Sequence, residues 1–268
     1  MSHYLKLWEE YTEDTSDIDM STFDIKDELN PDIWDADLTL KADIRERLQH
    51  IAENFMIQMN LPVSLIKDIV LTGSLANYNW SEYSDVDLHI LIDFKDVNID
   101  EELVRDYFKS HTSNWNLRHN IRMRGFEVEI YVQDVDEPHV STGIYSILND
   151  DWVVRPRHEE PEIDMENALK KAERLMYLID SIEEIYDEGR YEDVEAFAAL
   201  TKEKIRKFRR CGLERTGQYS AENIAFKVLR RNGYLKKLSD IKKQAYDNTM
   251  SVTENHRRNW NRFYNNNQ

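Results

Sequence analysis

The segment Ile66–Asp93, IKDIVLTGSLANYNWSEYSDVDLHILID, sets the tightest limits on what this 268-residue chain can fold into. Ile66 to Thr72 is a short apolar run rich in β-branched residues that breaks at Gly73-Ser74. After ten further residues, Asp85-Val86-Asp87 opens a second apolar run. Side chains two apart on a strand share a face, so Asp85 and Asp87 project together as a hard, all-oxygen pair suited to Mg²⁺. Val86, Leu88, Ile90 and Ile92 face the other way and call for a covering layer of helices. Gly73 lets the backbone turn tightly. Ser74 then stands where a short helix over Leu75–Trp80 would begin, offering N–H groups and a positive dipole end to a phosphate.

A third carboxylate is expected on a neighbouring strand, where it would complete a cation site and accept the proton of an attacking hydroxyl. The run Phe126–Val132 carries Glu127 and Glu129 on one face, with Val128, Ile130 and Val132 on the other. Parity leaves both acids open. Glu129 is preferred because apolar residues flank it within the strand, and Glu127, nearer Gly125, stands as its substitute. A Gly-Ser pair alone marks a turn, and an Asp-x-Asp pair alone is a solvated strand end; their order and spacing, with a later strand acid, carry the argument.

That pattern resembles the signature of the DNA polymerase beta-like nucleotidyltransferase superfamily, over about a quarter of the chain from Ile66 to roughly Val132. The resemblance implies a metal-dependent enzyme that moves a nucleoside monophosphate from a nucleoside triphosphate to an acceptor hydroxyl and releases pyrophosphate. Asp85, Asp87 and Glu129 would hold two Mg²⁺ or Mn²⁺ ions, Glu129 would act as general base, and Gly73 and Ser74 would cradle the triphosphate. Relatives often have Asp as the third acid. Many also place an extra Gly or a basic residue in the loop after Ser74, and this chain has neither there. In general texture the chain is also similar to nucleotidyltransferase-like proteins of large tailed bacteriophages.

The expected fold is α/β (α+β): a small mixed-sheet core followed by a C-terminal helical bundle. Residues 1–37 form an acidic arm whose Trp8, Phe23, Ile33 and Trp34 dock on the body, 38–160 the core, 161–250 the helical domain and 251–268 a tail. Ile44, Leu48, Ile51 and Phe55 recur at helical spacing within Lys41–Met59. Asp100–His119 reads as a crossover helix with an acidic first turn, and Gly143–Val154 as a hairpin. Four helices follow: an Ala168–Ile182 stripe, a Val194–Phe208 stripe ending at Cys211-Gly212, a third capped by Ser220 and stopped by Gly233, and a fourth through Leu235–Ala245.

Charge distribution narrows the partners. The formal net charge is −17, yet Ala199–Lys243 holds fourteen Lys and Arg against four acids, while Met1–Leu40 holds twelve acids against two Lys. Such asymmetry suits one face meeting an anion. Lys204 and Lys207, then Lys227, are the candidates for the β- and γ-phosphates. Arg155 and Arg157 are further candidates, Asn77, Asn79 and Ser81 are either phosphate contacts or solvated loop residues, and His89 reads as a contact to a metal-bound phosphate, a support for Asp87 or a sheet-surface histidine. A single Cys211 excludes an internal disulfide and a Cys-based zinc site and fits a reducing cytoplasm, the host's if the protein is phage-encoded. No apolar run has membrane-spanning length. The acceptor stays open among RNA such as a tRNA end, a protein hydroxyl and a small molecule. Two other readings share the pattern: a catalytically silent scaffold acting in nucleic-acid binding or assembly, and a synthase of nucleotide second messengers.

Overall fold

A computed structural model describes residues 23–138, 141–159 and 161–251. The chain divides at Glu160/Pro161 into a sheet unit and a helical unit. Trp8 of the acidic arm and the tail beyond Ser251 lie outside the described residues.

The sheet unit opens with helix α1 (Ala42–Gln58), which buries Ile44, Leu48, Ile51 and Phe55 as their spacing predicts. Strand β1 (Ile66–Thr72) follows, then β2 (Asp85–Ile92), helix α2 (Glu101–Arg118), β3 (Arg122–Met123), β4 (Phe126–Asp134), β5 (Ile144–Ser146) and β6 (Asp151–Val154). The strand order is β3-β4-β2-β1-β5-β6. Only β2 and β4 run parallel. A parallel pair needs a long crossover, and α2 supplies it, capped where Asp100 Oδ1 accepts from Leu103 N at 3.1 Å.

Strict alternation along β2 buries Val86, Leu88, Ile90 and Ile92, the face that needed cover. They join one core with Leu48 and Phe55 of α1, Phe108 and Trp115 of α2, and Val128 and Ile130 of β4. Burial of each large side chain contributes about 1.5–3 kcal/mol. Beyond β3's short pairing, Asn116 of α2 takes over β4's outer edge: its side chain donates to Ile130 O and accepts from Ile130 N, both at 3.0 Å. The ladder groups that an edge strand would leave open are satisfied at this point, which fixes the backbone beside Glu129.

The arm's aromatics dock as expected for the residues described: Phe23, Leu29, Ile33 and Trp34 are buried. Trp34 stacks on Trp152 of β6 with ring centroids 4.7 Å apart and meets Tyr145 edge-on at 5.0 Å. These residues belong to the sheet unit, so the body of this unit begins well before residue 38.

In the helical unit α3 (Met165–Asp187), α4 (Tyr191–Thr216), α5 (Ala221–Arg231) and α6 (Tyr234–Met250) pack together. Ser220 caps α5, its Oγ accepting from Asn223 N at 3.2 Å. The expected stop of α4 at Cys211-Gly212 is corrected: the helix continues to Thr216 and ends at Gly217, whose φ is +75°. Gly212 serves close packing instead. A Cβ there would lie 2.6 Å from Glu222 Cβ and 2.7 Å from Ser220 Oγ. Phe197, placed in the apolar stripe by its spacing, is exposed. Among the described residues no helix is long and apolar enough to cross a membrane.

Candidate functional site

The parallel register pairs Asp85 with Glu127 and Asp87 with Glu129, and the antiparallel register pairs Asp87 with Thr72. Directly paired residues share a face, so Thr72, Asp87 and Glu129 form one row across three strands, with Asp85 and Glu127 in the next row. All four acids are half-buried, between the buried positions of each strand. Both glutamates therefore face the same side as the aspartates, and Glu129 is the one level with Asp87.

Gly73 follows Thr72 and closes the row. Its φ of 77° and ψ of −160° fall where essentially only glycine is found. A Cβ there would run into the Asp87 carboxylate, lying 2.8 Å from its Cγ. The Gly-Ser turn and the Asp-x-Asp strand are thus in contact, and the space a side chain would fill is taken by the carboxylate.

The short helix expected over Leu75–Trp80 is corrected to a single 3₁₀ turn, Ser74–Ala76. Carbonyls of the turn and of its flanks are claimed by other partners. Trp34 Nε1 donates to Leu75 O at 2.7 Å, Lys26 N to Tyr78 O at 2.7 Å, and Asn77 Nδ2 to Gly73 O at 2.7 Å. A three-residue turn carries little dipole, so Ser74 does not gain the helix terminus that its position suggested. Ser74 Oγ instead donates to Ser84 Oγ at 2.7 Å, and Ser84 Oγ accepts from Ser81 N at 3.0 Å. This stitches the loop shut beside Asp85. Thr142 Oγ1 donates to Asn77 Oδ1 at 2.9 Å. Asn77, Asn79 and Ser81 are buried, so they are not solvated loop residues.

Tyr131, two residues past Glu129 and on the same face, was not singled out by sequence reasoning, although its parity was the available signal. Its hydroxyl donates to Glu129 Oε2. Tyr131 is 37% exposed; partial desolvation of its phenol, the donation to Glu129 and the negative fields of Glu129, Asp87 and Asp85 raise its pKa above the usual phenol value. The three acids thus act on one phenol. His89 pairs with Tyr131 in the ladder, their rings 5.0 Å apart, and His89 Nδ1 lies 3.0 Å from Gln133 Oε1. His89 stands in the row beside Asp87, on the carboxylate face, as its parity predicted.

No family model, curated protein or solved structure matches this chain.

The candidate cations belong to other elements. Lys204 and Lys207 are exposed on α4, and Lys227 is half-buried on α5, all in the helical unit. Lys207 itself pairs with Glu203 at 3.6 Å, and its neighbours Arg206 and Arg210 pair with Glu203 at 2.6 Å and Glu214 at 3.9 Å. Arg155 and Arg157 are exposed beyond β6, on the outer edge of the sheet three strands from β2. That segment passes Tyr78, whose ring meets His158 edge-on at 5.1 Å.

Asp85, Asp87 and Glu129 offer oxygen only, the donor set that Mg²⁺ and Mn²⁺ prefer. The residues fit such ions in kind and in strand placement. Among the described residues, no three His, Cys, Asp or Glu side chains are already gathered as a metal-holding group, and the Glu129 carboxylate is engaged by Tyr131.

Proposed function

We propose that the chain is a metal-dependent nucleotidyltransferase of the polymerase beta-like kind, transferring a nucleoside monophosphate from a triphosphate to an acceptor hydroxyl. The observation that carries this reading is the row Thr72–Asp87–Glu129 closed by Gly73 against Asp87. Two Mg²⁺ or Mn²⁺ ions held by Asp85, Asp87 and Glu129 would neutralise charge on the attacking and leaving oxygens.

The chain's own residues have separable roles. Asp85 and Asp87, fixed by β2, bind and orient. Glu129, level with Asp87, takes the acceptor proton as the acceptor oxygen bonds to the α-phosphorus. The bond from that phosphorus to the bridging oxygen of the β-phosphate breaks, and pyrophosphate carries the electron pair away. Gly73, lacking a side chain, lets the Asp87 carboxylate lie against the turn, the Ser74–Ser84 bond holds the loop beside Asp85, and Gly73 and Ser74 are proposed to cradle the triphosphate. RNA, a protein hydroxyl or a small molecule is proposed as the acceptor.

The test is incubation with each α-labelled triphosphate, Mg²⁺ or Mn²⁺ and cell lysate. Label entering RNA, protein or a small product, with pyrophosphate released, supports the reading. A product formed from triphosphate alone would make the protein a second-messenger synthase. No product and no pyrophosphate with any triphosphate would leave a non-catalytic scaffold.

A further inference from the structure

The Tyr131 phenol stands where a cation ligand would have to be freed. Tyr131 and Glu129 lie two apart on β4, so their side chains rise from the same face of the sheet. The Tyr131 ring is braced from the β2 side by His89, at 5.0 Å and an interplanar angle of 30°, and His89 is held by Gln133 at 3.0 Å. Thus supported, the hydroxyl donates to Glu129 Oε2, using one of the two oxygens that the carboxylate could give to an ion.

Resting on the nucleotidyltransferase reading, we propose that Tyr131 is a positioning residue that latches Glu129 in the cation-free protein and releases it when divalent ions bind. A carboxylate oxygen that accepts a hydrogen bond from a phenol is already partly neutralised. A divalent cation seeking the same lone pair must displace that bond, so its binding free energy is reduced by the strength of the bond it breaks. Asp85 and Asp87 then capture the ions first, and Glu129 joins when the ions, with the triphosphate, outcompete the phenol. The device keeps the base occupied while the site lacks its substrates.

The experiment measures Mn²⁺ affinity by titration calorimetry and by the loss of the free-ion paramagnetic resonance signal. Full-length wild type and Tyr131→Phe are compared without nucleotide. The phenylalanine keeps the ring against His89 and removes only the donor. The latch predicts tighter Mn²⁺ binding by Tyr131→Phe, about tenfold, the size of one hydrogen bond to a charged group. It also predicts that Mg²⁺ shifts the Tyr131 Cζ resonance of the wild type. A mere loss of structure would weaken binding rather than strengthen it. If the wild type binds Mn²⁺ and Tyr131→Phe binds it equally or more weakly, the latch is wrong and the cation site stands. If neither protein binds Mn²⁺, the nucleotidyltransferase reading falls and takes the latch with it.

Discussion

Gly73 and Asp87 occupy one another's space: the glycine's missing side chain is the room in which the aspartate carboxylate sits. Two motifs separated in sequence are thereby made a single object. Gly73→Ala must either twist the backbone out of a conformation reserved for glycine or push Asp87 out of its row. The substitution is expected to cost about 2 kcal/mol or more in urea unfolding and to weaken Mn²⁺ binding by the folded fraction. Unchanged stability together with unchanged Mn²⁺ affinity would show that the two residues do not constrain each other.

Trp34 ties the acidic arm to the turn that follows Gly73. It is 3% exposed and donates to Leu75 O at 2.7 Å. Trp34→Phe keeps an aromatic ring against Trp152 and Tyr145 but removes the donor and leaves the Leu75 carbonyl unsatisfied, at a cost of about 1–3 kcal/mol. Hydrogen exchange should quicken at Asn77 N, which bonds Ser74 O at 3.0 Å, more than in the helical unit. Uniform exchange across both units would contradict a local role. Deleting residues 1–37 likewise removes core side chains, so it should unfold the sheet unit rather than simply uncover a surface.

Much of this architecture is legible from periodicity. Alternation at Val86, Leu88, Ile90 and Ile92 gave the covered face of β2, and the four-three-four spacing from Ile44 to Phe55 gave α1. What the pattern missed depends on distant partners. Nothing near Leu75 announces that Trp34 will take its carbonyl, so a helix was expected where a 3₁₀ turn forms. Asn116 looks like an ordinary polar position on α2 until β4 lies against it. Glu127 and Glu129 share a parity, and only the register, set by how β2 and β4 align, makes Glu129 the neighbour of Asp87. The charge count makes Ala199–Lys243 strongly basic, but local acids such as Glu203 pair with part of that charge.

Gly212 shows the same limit within the helical unit. Read locally it terminates a helix; in three dimensions it lets α4 approach Glu222 and Ser220. Gly212→Ala adds a better helix former yet should destabilise the protein, by about 1–3 kcal/mol in denaturant unfolding, as an overpacked contact does. A stabilised Gly212→Ala variant would mean that α4 and α5 part at little cost.

Glu222 should make the helical unit's stability depend on pH. Burial favours its neutral form, but donation from Lys171 at 2.5 Å, from its own backbone and from Arg215 at 2.8 Å outweighs burial and holds its pKa below the usual carboxylate value. A lowered folded-state pKa contributes stability above the unfolded value, and that contribution is lost as pH falls through the folded one. Glu222→Gln is therefore expected to cost about 2 kcal/mol near neutral pH, with the gap from wild type narrowing as the medium is acidified below the ordinary glutamate range. A gap that stays constant with pH would remove the charge from the explanation.

The account turns on the row that joins Asp87 to Glu129, and anomalous scattering from crystals grown with Mn²⁺ and a non-hydrolysable triphosphate tests it most directly. The expected result is manganese density contacting the carboxylates of Asp85, Asp87 and Glu129, with Tyr131 no longer bonded to Glu129 and the triphosphate beside Gly73. Manganese bound only elsewhere, with these carboxylates unchanged, would contradict the account.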